Sequence, residues 1–157
     1  MNKIAIFVDV QNVYYTCRET YKRNFDYNQF WAQATENCEV KYAFAYAIAR
    51  SDEKQKQFQN ILRAIGFEVK LKPFIQRADG SAKGDWDVGI TLDIMDYASE
   101  VDKVILVSGD GDFAMLLDRV QGKFNVPCDV YGVAKLTASA LINSARDYIP
   151  IEGDLLL

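Results

Sequence analysis

The stretch Ser108-Gly109-Asp110-Gly111-Asp112-Phe113 sets two carboxylates where the apolar, β-branched run 103–107 gives way to a helical pattern over 114–120. Like charges two residues apart repel and add nothing to stability, so binding a cation is the use that offsets them. Two further segments supply candidate ligands. Asp9-Val-Gln-Asn12 follows the apolar run 4–8 and offers one carboxylate and one amide. Lys83-Gly-Asp85-Trp-Asp87-Val88 offers two carboxylates and a lysine able to contact phosphate. Each has a plainer local reading. Asp9 and Asn12 suit an Asx turn or a cap, and Asp87 suits the first turn of a helix. Capping alone leaves Lys83, Asp85 and Asp87 together unexplained.

The chain has no histidine. That excludes Ser-His-Asp and Cys-His catalysis and every histidine-based metal site. Hydrolysis would have to run on carboxylates, lysine, tyrosine or metal-activated water. The fitting cation is hard and oxygen-ligated, which selects Mg²⁺ or Mn²⁺.

Charge is segregated along the chain. From Asp85 to Asp118 there are nine acids and the single base Lys103. From Lys41 to Lys83 there are nine bases and four acids. A block able to hold phosphates thus precedes the block carrying the candidate metal site. A pair of ordinary solvated faces explains the same asymmetry. The net charge of −4 disfavours broad coating of nucleic acid. No apolar run approaches the roughly 20 residues that span a bilayer, and the start is too short and too acidic for a signal peptide. Cys17, Cys38 and Cys128 are odd in number and widely spaced, which fits reduced packing thiols and a cytoplasmic protein.

The elements that must position these residues follow from periodicity. Strands are expected at 4–8, 40–49, 67–74, 103–107 and 126–131. Helices are expected at 27–38 after Asp26, at 51–65 ending on Gly66, at 87–98, at 113–121 and at 136–145. In the helix from Asp87, Val88, Leu92 and Met95 form one face, with Ile90 and Ile94 beside it. Residues 75–83, with Asp79-Gly80, read as a loop, and 148–151 as a short terminal extension. Alternation of strands and helices implies an α/β fold: a three-layer α/β/α sandwich on a mostly parallel sheet. Residues 1–150 form one domain and 151–157 a tail. Sites in such sheets form beyond the carboxyl ends of the strands, at the switch in strand order. In the order 3-2-1-4-5 the first and fourth strands are neighbours, and Asp9, Asp110 and Asp112 converge.

Together Phe7-Val-Asp-Val-Gln-Asn-Val13, Lys83-Gly-Asp-Trp-Asp-Val88 and Ser108-Gly-Asp-Gly-Asp-Phe113 resemble the three motifs of LabA-like NYN domains, within the PIN-like nuclease group. The resemblance covers almost the whole chain, in order. It implies a Rossmann-like, PIN-like fold, an acidic pocket for Mg²⁺ or Mn²⁺, and ribonuclease activity. Carried over by position, Asp9, Asp87, Asp110 and Asp112 are the catalytic and metal-binding residues. Asn12 and Ser108 are accessory to substrate, and Lys83 contacts phosphate. Asp93 also falls within the second motif, but six helical residues rotate it by about 240° from Asp87, which ranks it lower.

The expected substrate is RNA, single-stranded if aromatics such as Tyr14, Tyr15 or Trp86 stack on bases; packing is the plainer use of those rings. Two other readings stay open. One is a non-catalytic module that keeps the pocket and binds RNA or a targeting protein. The other is a phosphohydrolase, disfavoured because Asp9-Val-Gln11 lacks the second aspartate of an Asp-x-Asp nucleophile motif. The apolar tail Leu155-Leu-Leu157 docks on its own domain or, in a homodimer, on a second copy.

Overall fold

A computed structural model of the chain describes every residue except 51, 74, 77–81 and 84, and the backbone alone of 75, 76, 82 and 83. In chain order the elements are β1 (Asn2–Asp9), α1 (Val10–Tyr21), α2 (Tyr27–Ala34), β2 (Cys38–Ala49), α3 (Glu53–Ile65) and β3 (Glu68–Pro73). The short strands β4 (Ile75–Gln76) and β5 (Ala82–Lys83) follow, then α4 (Asp87–Tyr97), β6 (Lys103–Val107) and α5 (Ala114–Phe124). The chain ends with β7 (Cys128–Gly132), α6 (Ser139–Ser144) and β8 (Asp147–Pro150).

Six strands form one sheet in the order β3-β2-β1-β6-β7-β8, and every neighbouring pair is parallel. The expected α/β/α sandwich and the order of its first five strands hold. The sixth strand is new: residues 147–150 pair with β7 along its length instead of trailing as an extension. Residues 75–83 contain the antiparallel pair β4 and β5. The expected Asp79-Gly80 turn lies outside the described residues.

One core face packs α1, α2 and α3 through Val13, Cys17, Phe30 and Leu62. The other packs α4, α5 and α6 through Ile90, Ile94, Leu117 and Leu141. Central strands covered on both sides must be apolar throughout. Residues Ile4 to Val8 are accordingly inaccessible to solvent.

Helix α1 is absent from the sequence reading. Its run Val-Gln-Asn-Val-Tyr-Tyr-Thr-Cys is poor in strong helix formers, and its buried stripe has only Val10, Val13 and Cys17. Tertiary packing, rather than propensity, makes it helical. Helix α4 differs in its facing. Ile90 and Ile94 are the buried pair, whereas Val88 and Leu92 are 70% and 60% exposed. Burying each isoleucine contributes about 1.5–3 kcal/mol. The apolar pattern of this helix runs nearly all round, so periodicity alone could not choose the inner side.

Caps fix several helix ends. The Asp26 carboxylate accepts from the Gln29 N–H and that of Asp52 from the Gln55 N–H. Gly66 ends α3 at φ +141°, and a Cβ there would lie 2.7 Å from the Trp31 ring. Both the backbone and the space demand glycine. Gly66→Ala is therefore expected to cost about 2 kcal/mol or more, read as a lower urea midpoint at unchanged slope.

The terminal residues pack on the same body. Leu155 and Leu156 are buried. The Arg23 guanidinium donates to the carbonyls of Leu156 and Leu157 at 3.0 and 2.6 Å. Among the described residues no helix is long and apolar enough to cross a membrane.

Candidate metal centre

The switch in strand order falls between β1 and β6: from β1 the chain runs outward to β2 and β3 on one side, then crosses back to β6 and continues outward on the other. Val8 pairs with Val107 there, so Asp9 and Ser108, the next residues, emerge side by side at the carboxyl edge. The Ser108 hydroxyl donates to an Asp9 carboxylate oxygen at 3.2 Å and accepts from the Asp110 N–H at 3.2 Å. Asn12, in the first turn of α1, uses Oδ1 to accept from the Gly109 N–H at 2.9 Å. Its amide NH₂ remains as a donor. Asp110 Oδ1 accepts from the Asp112 N–H at 2.9 Å, which caps the short turn 111–113. A Cβ on Gly109 would meet the Leu136 carbonyl at 2.8 Å, so this loop lies against its neighbour in a way only glycine permits.

Asp87 arrives from the opposite side as the first residue of α4, next to the capping residue Trp86. The Trp86 indole donates to the Ala47 carbonyl at 2.9 Å, and its ring packs on Tyr46 at 5.2 Å. Trp86 is thus an anchor for the start of α4, the plainer of the two uses expected of that ring. Asp87, Asp110 and Asp112 each offer a carboxylate oxygen within 4.8 Å of the other two. Asp9 is not one of the three. It is 6% exposed and spent on Ser108. A pocket of about 190 Å³ opens beside the cluster, lined by Asp87, Val88, Thr91, Leu92, Asp112 and Phe113.

The electrostatics of the centre are strained. Burial pushes the Asp9 carboxyl up to about 6, against the help of Asn12 and Ser108, and the charges of Asp110 and Asp85 add to the rise. Burial and the contact with Asp110 push Asp87 up to about 7, with the charges of Asp85 and Asp9 adding to it. Among the described residues, the ion pairs engage Glu100, Asp93, Asp129 and Asp147; none reaches these four aspartates. The donor set therefore fits a hard divalent cation, being all oxygen, crowded and, among the described residues, without an ion-paired counter-charge. Mn²⁺ is accordingly expected to raise the melting temperature near neutral pH, and less at about pH 5, where protons already relieve the repulsion. Differential scanning calorimetry at both pH values checks this.

The remaining candidates separate clearly. Asn12 and Ser108 sit at the centre as second-layer supports. Asp93 is drawn away: it accepts from the Tyr46 hydroxyl and pairs with Lys70, both at 2.7 Å. Lys83 lies in β5, and its side chain falls outside the described residues. Asp85, the other carboxylate of the second segment, also stands near the centre. It accepts from the Asp87 N–H at 3.2 Å, and its charge reaches both Asp9 and Asp87. Its place in the second motif was the available signal. The three cysteines are free thiols, with Cys17 and Cys128 packed in the two cores.

Comparison with known proteins follows this geometry. A family model described as the NYN domain matches residues 3–152. The chain is 25% identical to the low amplitude and bright protein LabA of Synechococcus elongatus, over 96% of this chain and 84% of that protein. The crystal structure of a Vibrio parahaemolyticus protein of unknown function is similar at TM-score 0.95 and 63% identity, covering 99% of this chain and 96% of that one. Ribokinase from Giardia lamblia is similar at TM-score 0.51 and 11% identity, over 95% of this chain and 57% of that one. At that identity the likeness is one of fold alone.

Proposed function

The chain belongs to the NYN domain family, and from that premise we propose that it is a metal-dependent ribonuclease acting at the carboxyl edge of β1 and β6. The observation that carries this reading is the cluster of Asp87, Asp110 and Asp112, three carboxylates within 4.8 Å of one another. NYN domains fall in the PIN-like nuclease group, so both the family and the donor set favour phosphodiester hydrolysis over the alternatives.

Mg²⁺ or Mn²⁺ would be held by Asp87, Asp110 and Asp112. When bound, it supplies a Lewis acid that polarises a phosphoryl oxygen and acidifies water without a histidine. The other residues then have defined work. Asp9, buried behind the cluster, adds negative charge that raises affinity for a dication, and it orients the Ser108 hydroxyl. Ser108 in turn fixes the Asp110 backbone. Asn12 ties α1 to the loop through its carbonyl oxygen and turns its amide toward substrate as a donor to a phosphate oxygen. Lys83 is assigned to phosphate on the strength of its motif.

The test is cleavage of a labelled single-stranded RNA by purified protein with Mn²⁺, with Mg²⁺ and with EDTA. Cleavage in either metal that stops in EDTA supports the proposal. Saturable RNA binding with no turnover in either metal would replace it with the binding-module reading.

A further inference from the structure

An apolar groove on the other side of the same sheet edge is not used by the carboxylate chemistry. It encloses about 590 Å³ between α1 and α3. Tyr14, Tyr15, Phe58 and Ile61 form its walls, and Arg50 and Lys54 line it as well. Val10 and Gln11, which also line it, directly follow Asp9 in the chain. The groove lies on the face covered by α1 and α3, and Asp87 on the face covered by α4. Asn12, flanked by the groove-lining Gln11 and Val13, bonds to the Gly109 N–H of the carboxylate loop, which sets this end of the groove beside that loop.

Several features call for explanation. Tyr14 and Tyr15 are 53% and 54% exposed and Ile61 is 52% exposed, a concentration of apolar surface that folding leaves uncovered. The two tyrosine rings meet edge to face at 5.6 Å, so their outer faces remain available to a third ring. Arg50 and Lys54 bring positive charge to an edge otherwise dominated by aspartates. Flat apolar walls with a cationic border are complementary to a polyanion whose units carry flat rings. Paired bases in a duplex present neither ring face, since both are stacked within the helix, whereas unpaired bases can turn into such a groove.

We propose that this groove is a subsite for unpaired nucleobases flanking the phosphate at the carboxylates, with Tyr14 and Tyr15 as stacking platforms and Arg50 and Lys54 as backbone contacts. It rests on the nuclease reading for the direction of the strand and makes the site selective for single strands. Phe58 and Ile61 complete the apolar wall.

The experiment measures fluorescence anisotropy of a labelled single-stranded oligouridylate, in EDTA and in Mn²⁺, with probe integrity checked on a denaturing gel. Wild type is compared with Tyr14→Ala/Tyr15→Ala and Tyr14→Phe/Tyr15→Phe. Both residues are more than half exposed, so circular dichroism is expected to match wild type. The alanine pair is expected to weaken binding by about tenfold or more, as for loss of about one to two stacked bases. The phenylalanine pair is expected to stay within about threefold, since stacking needs the ring and not the hydroxyl. A duplex of the same length is expected to bind without dependence on the tyrosines. Alanine variants that bind like wild type would overturn the proposal, as would equal losses in both variants, or no binding by wild type in either arm. Tyrosine-dependent binding without turnover would leave the subsite standing and remove only the nuclease reading.

Discussion

Asp110→Asn is expected to abolish metal-dependent RNA cleavage, by about a hundredfold or more, in a protein that melts no lower than wild type. The substitution removes one ligand charge and keeps the geometry. Asparagine retains an oxygen that can accept from the Asp112 N–H, the bond made at 2.9 Å by Asp110 Oδ1. The Ser108 contact is to the backbone N–H of residue 110 and is indifferent to the side chain. A fall in activity can therefore be assigned to the cation and not to the loop. Cleavage kinetics together with Mn²⁺ titration calorimetry measure both halves of the claim. Activity surviving at wild-type level would show that the reaction does not depend on this carboxylate.

Asp9→Asn is expected to raise stability near neutral pH in EDTA while lowering activity. The sign follows from the folded state holding the Asp9 proton more tightly, its carboxyl being pushed from 3.8 to about 6 by burial. Stability from this group is fully present below about pH 4 and is lost as pH rises through about 6. Complete ionisation of so shifted a group costs about 3 kcal/mol. Asparagine removes that cost but weakens the bond from Ser108, leaving a gain of about 1–3 kcal/mol above pH 6 and none near pH 4. Asp87, pushed up to about 7, extends the same trend to neutrality. Urea unfolding in EDTA across this range checks it. A wild-type stability that rises from pH 5 to 7, or a variant equal to wild type throughout, would refute the account of a strained centre. Such strain is what a binding site stores for its ligand: the cation restores what ionisation costs.

The site was more legible than some of the frame around it. Strand ends are marked by chemistry that tertiary packing does not override. Ile4 to Val8 and Lys103 to Val107 could be little other than buried parallel strands, and an aspartate directly after such a run has to sit at the sheet edge. Convergence of the carboxylates then followed from the strand order 3-2-1-4-5, in which the first and fourth strands are neighbours. The harder parts were those where packing decides. Helix α1 has neither strong formers nor a broad apolar stripe, and it exists because Val13 and Cys17 find a core to fill. The inner face of α4 was ambiguous because Val88 and Leu92 are as apolar as Ile90 and Ile94. They stay exposed beside the carboxylates, where a pocket needs walls. Strand β8 has only four residues and ends in proline, which an edge strand tolerates and a central one does not. Trp86 was legible as an aromatic in a motif, but its indole bond to Ala47 is a relation between elements distant in sequence.

Among the described residues, the carboxylates of the centre share the lack of an ion-pair partner. Asp129 shows the contrast, since it is as buried as Asp9 but is met by Lys103 and Arg146 at 3.4 and 3.2 Å. That pair joins β6 and β7 to the start of β8 and needs no ligand. Asp9, Asp87, Asp110 and Asp112 are brought together with no such cation among the described residues, an arrangement that a dication from solution would relieve.

The most direct measurement is anomalous scattering from a crystal of this protein soaked in MnCl₂. The account predicts a manganese peak among the carboxylates of Asp87, Asp110 and Asp112, absent from the Asp110→Asn crystal. A soaked wild-type crystal with no peak there, or with manganese bound only elsewhere, would contradict it.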